Sequence, residues 1–235
     1  MKILGIIPAR EGSKRVVSKN FKPFANTTLT DLTISHALKS NLLSTTVVTS
    51  DSLEVLKIAA KYPEVKCIRR PDIISGDLAP AIDYVRHCLS VVEPADGPFD
   101  MVVILQPSSP LRKSSDIDAT IELLMEHPDA DSAVSIVQVS HMLNPLKLKT
   151  LQNNVLLPYM EDEKGRFAKE DLPDIFVRNC AVYASWRKDL EIKNDVIGST
   201  SVGFEMPFER SVDINDPIDF EFAEYLYKKS IGPIA

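Results

Sequence analysis

Short apolar runs alternate along the chain with segments whose apolar residues recur every three or four positions. Ile3 to Ile7 is such a run, stopped by Pro8, and reads as a buried first strand. Thr45 to Thr49, Val65 to Ile68, Met101 to Leu105, Ser132 to Val139 and Ala181 to Ala184 read the same way, and the wholly apolar Met101–Leu105 is expected to be central. Helical spacing predicts helices over Leu32–Lys39, after a Ser52 cap (Val55, Leu56, Ile58, Ala59), over Ala79–Val92 (Ile82, Val85, Leu89, Val92) and over Ser115–Glu126. Trp186–Leu190 reads as a short turn or helix, and a last helix starts at Pro217 and runs towards Tyr227.

Strand and helix alternate at crossover spacing, which predicts an α/β fold with a mostly parallel sheet covered by helices on both faces. In such a sheet ligands bind beyond the carboxyl ends of the strands, where the polar loops at Arg10, Asp51, Arg70 and Gln106 fall. Residues 140–178 break the pattern, with Pro145, Gly165 and Pro173 interrupting it and charge crowding from Glu161 to Asp171. They read as an excursion with short strands, an arm for a partner subunit, between core segments 1–139 and 179–235.

The composition is that of an ordinary globular protein, 44% hydrophobic and 26% charged. A formal net charge of -6 offers no general surface for nucleic acid. No stretch is long and apolar enough to span a bilayer, and Arg10 arrives before a full signal segment could form. Cys67, Cys88 and Cys180 have neither metal nor redox spacing and suit a reducing compartment. The expectation is a cytoplasmic protein with no membrane or nucleic-acid partner.

The chemistry concentrates in Ala9-Arg10-Glu11-Gly12-Ser13-Lys14-Arg15-Val16-Val17-Ser18-Lys19-Asn20. A glycine, a hydroxyl and four basic side chains follow the first strand, a combination able to hold a polyphosphate through N–H groups and cations. A solvated basic loop is the competing reading. The glycine spacing matches neither the common ATPase phosphate loop nor the dinucleotide fingerprint. Further along stand Arg70-Pro71 with Asp77, Leu105-Gln106-Pro107-Ser108-Ser109-Pro110-Leu111-Arg112, Asn144-Pro145-Leu146-Lys147, then Leu172-Pro173, Asn179 and Tyr183, and finally Ser211-Val212-Asp213-Ile214.

Taken in order, these segments resemble the acylneuraminate cytidylyltransferases, and the resemblance covers nearly the whole chain. It implies a Rossmann-like domain, a small dimerisation excursion and a homodimer. It implies CTP and Mg²⁺, an acidic sugar such as N-acylneuraminate or a related nonulosonate, and attack of the anomeric hydroxyl on the α-phosphate with loss of pyrophosphate. Arg10, Gly12, Ser13, Lys14, Lys19, Asn20, Arg70 and Asp77 are the implied nucleotide residues. Arg10 and Lys19 would stabilise charge on the reacting phosphates, and Asp213 would hold the metal. A structural pair is the alternative for Arg70 and Asp77, and a helix cap for Asp213. Gln106, Lys147, Lys169, Asn179 and Tyr183 fall on the sugar side.

The departures from the family pattern also lie mainly there. Asn215 stands where a second carboxylate is frequent and is a weaker candidate metal ligand. Ala168-Lys169-Glu170-Asp171 replaces a segment rich in arginine, and Cys180 stands where glycine is usual. These changes widen the acceptor class to other eight- or nine-carbon acidic sugars. They leave open transfer to a phosphonate or sugar phosphate, and a non-enzymatic sugar-nucleotide binding protein.

Overall fold

The computed structural model describes residues 1–160 and 172–232. Seven strands form the main sheet: β1 (Ile3–Pro8), β4 (Thr45–Ser50), β5 (Val65–Arg69), β6 (Met101–Ile104), β7 (Ser132–Gln138), β10 (Phe176–Trp186) and β11 (Ser201–Glu205). Their order is β11-β7-β10-β6-β1-β4-β5, and β10 alone runs antiparallel to its neighbours. The expected Rossmann-like, mostly parallel α/β fold is therefore present.

Alternation along the strands builds two apolar layers. Ile3 and Ile7 of β1, with Met101 and Val103 of β6, face α1 (Leu29–Leu38), α2 (Leu53–Ala59) and α4 (Ser114–Glu126). Leu4, Ile6, Val102 and Ile104 face the other way, onto α3 (Ala81–Asp96) and α5 (Arg187–Lys193). The buried face of α3 is the one the spacing predicted, with Cys88 added to Ile82, Val85, Leu89 and Val92. α1 begins three residues earlier than its apolar pattern, because Thr28 Oγ1 accepts from Asp31 N at 3.1 Å and starts the helix within a polar turn.

Two departures from the sequence reading shape the site. β10 is far longer than Ala181–Ala184, and its pairing with β7 slips between Arg178 and Tyr183. Within that bulge Cys180 has φ +61°, the left-handed region that favours glycine. The parallel edge strand β11 was not anticipated from the pattern.

A third cluster ties the ends of the chain to the site. α6 (Pro217–Ile231) packs Phe220 and Ala223 against Val16, Phe24, Leu29, Leu32 and Ile214. Phe220 meets the Phe24 ring edge-on, centroids 5.4 Å apart. Phe24 belongs to the small ribbon of β2 (Pro23–Phe24) and β3 (Thr27–Thr28) that closes the basic loop. Outside the main sheet, β8 (Lys149–Gln152) and β9 (Val155–Pro158) form a hairpin turned by Asn153 and Asn154, both with positive φ.

Candidate active site

β1 neighbours β4 on one side and β6 on the other, so strand order reverses there. The crevice outside such a reversal is where open α/β sheets bind ligands. A cleft of about 660 Å³ lies there, lined by Arg10, Ser13, Lys14, Arg15, Lys19 and Asn20 from the loop after β1, and by Arg70, Asp77, Gln106, Asp213 and Asn215 from three later segments. Gly12 is exposed, with open space where a Cβ would project.

The basic loop is anchored by its backbone. Asn20 is buried and its Nδ2 donates to the Arg10 carbonyl at 2.8 Å, closing the loop on itself. Glu11 N donates to Asp51 Oδ1 at 2.8 Å. The four basic residues all line the cleft. Lys14 Nζ lies 2.5 Å from Asp77 Oδ2, and Arg10 Nη1 pairs with the other oxygen of the same carboxylate. Hydrogen bonds from Lys14 and Arg10 hold the Asp77 carboxyl below its ordinary range. Arg70, 3% exposed, donates from Nη2 to the Thr49 carbonyl at 2.9 Å and stacks 4.7 Å over the Tyr84 ring.

Opposite stands the segment before α6. Lys19 Nζ donates to the Ile214 carbonyl at 2.7 Å, and burial lowers the lysine's pKa, partly offset by the Asp213 charge. Ile214 N in turn donates to the Ser108 carbonyl at 2.8 Å, fixing this segment to the loop after β6. Asp213 Oδ2 accepts from Asn215 Nδ2 at 2.9 Å, while the buried Oδ1 has no hydrogen-bond partner among the described residues. Asn215 Oδ1 accepts from Arg15 Nη2 at 3.2 Å. The helix cap is Asp216, whose carboxylate accepts from Ile218 N and Asp219 N.

The sugar-side candidates separate. Gln106 lines both the cleft and an adjoining pocket of about 290 Å³, where Tyr183, Cys180, Val177, Val196 and Ile197 also lie. Burial raises the Tyr183 hydroxyl and the Cys180 thiol above their usual pKa values. Asn179 is buried behind this wall, donating from Nδ2 to Ser211 Oγ at 2.9 Å and accepting at Oδ1 from Ser135 Oγ at 2.6 Å. Lys147 sits in a 3₁₀ turn of the excursion and is not among the residues lining the cleft. Lys169 lies outside the described residues.

The family description Cytidylyltransferase matches residues 4–229. The chain belongs to the cytidylyltransferase family. It is 31% identical over 229 residues to the CMP-N,N'-diacetyllegionaminic acid synthase of Legionella pneumophila, covering 96% of each chain. It is 27% identical over 229 residues to the pseudaminic acid cytidylyltransferase of Campylobacter jejuni, covering 97% of both. Identity to the N-acylneuraminate cytidylyltransferase of Escherichia coli is 28% over 229 residues; this match spans 97% of the chain but only 52% of that relative. In fold it is similar to a CMP:2-keto-3-deoxy-manno-octonic acid synthetase complexed with CTP, at TM-score 0.74 and 16% identity, covering 98% of this chain and 100% of that one.

Several cleft features of this cytidylyltransferase escaped the sequence reading. In sequence Arg15 is one of four loop cations with nothing to tie it to Asn215, and Tyr84 sits on a helix with no local sign that its ring would carry Arg70. Behind the cleft, Arg210 Nη2 lies 2.5 Å from Asp116 Oδ1, joining the segment before Asp213 to the start of α4. Such a pairing across the chain has no local signature.

Among the described residues no helix is long and apolar enough to cross a membrane.

Proposed function

We propose that this cytidylyltransferase moves CMP from CTP to the anomeric hydroxyl of a sialic-acid-like acidic sugar. The hydroxyl oxygen bonds to the α-phosphorus as it loses its proton, the bond to the β-phosphate oxygen breaks, and pyrophosphate leaves. The observation that carries this reading is the convergence of Arg10, Lys14, Arg15 and Lys19 on one cleft that Asp213 also lines, with Gln106 between the cleft and the side pocket.

Negative charge grows on the phosphoryl oxygens and the leaving group, and fixed cations stabilise it without reorganising. Lys19 is held for that task through Ile214, close to Asp213. Asp77 keeps Arg10 and Lys14 together in the place where phosphates would bind. Arg70 and Tyr84 form the nucleotide wall, while Ser13 offers a hydroxyl. Gln106 can both donate to and accept from a hydroxylated acceptor.

The residues suit Mg²⁺. Among the described residues there is no group of three or more acidic, histidine or cysteine ligands. Mg²⁺ does not require one, since it binds through one or two carboxylates with phosphate and water supplying the rest. Asp213 would hold it through the oxygen that lacks a partner, with Asn215 beside it. When bound, the ion would offset charge on the phosphate oxygens.

A homodimer is part of the same proposal. The hairpin exposes Leu151, Val155, Leu156 and Tyr159, and a lone two-stranded hairpin is marginal in water unless something covers it. Light scattering should report twice the chain mass; a monomer that is fully active removes this part. Three unpaired cysteines fit the reducing cytoplasm.

The test is pyrophosphate release with CTP, UTP, ATP or GTP, Mg²⁺ and a panel of keto-acid sugars that includes N-acetylneuraminate. Turnover with CTP and at least one such sugar is expected. Preferred turnover with a purine nucleotide, or transfer only to phosphonates or sugar phosphates, overturns the reading.

A further inference from the structure

The loop after β6 contains a cation that never reaches the cleft. Arg112 is 0% exposed, and its Nη1 donates to the carbonyls of Gln106 at 2.7 Å, Ser109 at 3.1 Å and Ala181 at 3.1 Å. Its Nε and Nη2 have no hydrogen-bond partner among the described residues. Burial pushes the guanidinium down to about 9, against a partial counter-effect from the Asp116 charge. Asp116 itself is engaged by Arg210 and by Lys113 N.

For stability alone this is a poor choice, because an apolar side chain of similar volume fills such a site without burying a charge. What a guanidinium adds is donors aimed at two separate stretches of backbone. One stretch carries Gln106, whose side chain lies between the cleft and the side pocket. The other carries Ala181, directly after the left-handed Cys180 and two residues before Tyr183. A single nitrogen thus sets the spacing of two walls of the acceptor side. Ser109 Oγ adds a second tie, donating to the Asn179 carbonyl at 3.2 Å. The nucleotide-side groups hang from other supports: Arg10 and Lys14 from Asp77, and Arg70 from Thr49.

We propose that Arg112 is a positioning residue for the acceptor: it clamps Gln106 against the turn from Cys180 to Tyr183, and nucleotide binding does not depend on it. The inference rests on the reading of the cleft as a CTP and acidic-sugar site.

The test uses the full chain with Mg²⁺, CTP affinity by calorimetry, and steady-state kinetics with whichever sugar of the panel the wild type turns over fastest. Arg112→Met should raise the acceptor KM about tenfold or more, the scale of about one hydrogen bond to the acceptor lost when Gln106 is no longer held in place, with CTP affinity within about twofold of wild type. Arg112→Lys, which keeps a compact donor, should recover part of the loss. Ser109→Ala removes only the second tie and should raise the acceptor KM about threefold. It decides the matter if neither Arg112 variant folds. An unchanged acceptor KM in a folded Arg112→Met protein, or in Ser109→Ala where that variant decides, overturns the proposal. Acceptor and CTP binding weakening in parallel also overturns it, since that is the mark of general loosening. A wild type that turns over no sugar of the panel overturns the functional reading, and this inference with it.

Discussion

On the β1 side of the cleft, Arg10 and Lys14 are partly or largely exposed and share one carboxylate, that of Asp77. On the β6 side, Gln106 projects from a loop whose carbonyls are gripped by a fully buried arginine. The difference matches what each side would have to do. Charges that meet a polyphosphate need to exchange one anionic partner for another, and solvent-screened pairs exchange at little cost. Acceptor hydroxyls read by neutral hydrogen bonds would need their partners within a fraction of an ångström, which takes rigid support. Asp213 stands at the seam, attached to the basic loop through Ile214 and Lys19 and to the loop after β6 through Ile214 and Ser108.

The largest effect is expected at that seam. Asp213→Asn keeps the size and one oxygen but removes the charge, and turnover should fall about 100-fold or more with a weakened dependence on Mg²⁺. Asp216 already caps α6 and is poorly placed to compensate. Thermal unfolding should be unchanged. Equal turnover and equal Mg²⁺ dependence in the folded variant would take Asp213 out of the mechanism.

Gln106→Ala separates the two sides. The acceptor KM should rise about tenfold, as for one lost pair of hydrogen bonds, while calorimetric CTP affinity stays unchanged. An equal loss of CTP binding would show that the two halves are not independent.

Asp77→Asn tests the exposed side with an unusual sign. If Asp77 occupies the phosphate position, its removal should tighten binding of inorganic pyrophosphate about two- to fivefold, the scale of an exposed ion pair. Weaker pyrophosphate binding would make Asp77 a direct support of the nucleotide instead.

An effect on stability rather than on binding concerns the rigid side and pH. His36 lies near Arg112, and burial followed by the Arg112 and Lys39 charges lowers its pKa to about 3 from 6.5. The folded pKa is depressed, so the unfolded chain binds the proton first and stability falls as pH drops from 6.5 towards 3. His36→Gln should flatten that acid limb in thermal unfolding. A limb of unchanged slope would assign the acid sensitivity to other groups.

The resemblance and the alternation of apolar runs with helical spacing make the fold and many of the residues that line the cleft legible in the sequence. Both depend on short stretches of chain: β1 and β6 alternate in and out because a strand has a period of two, and the face of α3 follows from the period of a helix. The basic loop was legible for the same reason, since its charges are neighbours in sequence. Asp213 and Asp216 show where this stops. Both are aspartates in one short polar stretch, yet Asp216 caps α6 and Asp213 presents an unpartnered oxygen beside the cleft. The choice is made by Ile214 bonding to Ser108 and by Phe220 packing on Phe24, contacts between segments far apart in the chain. Nothing beside Arg112 in the chain marks it as a buried cation; it is buried because β10 crosses the sheet beside it, 69 residues further on at Ala181. Local chain geometry repeats with a fixed period and leaves its mark on composition, whereas the partner of a buried or bridging group depends on strand order and packing, which only the closed structure decides.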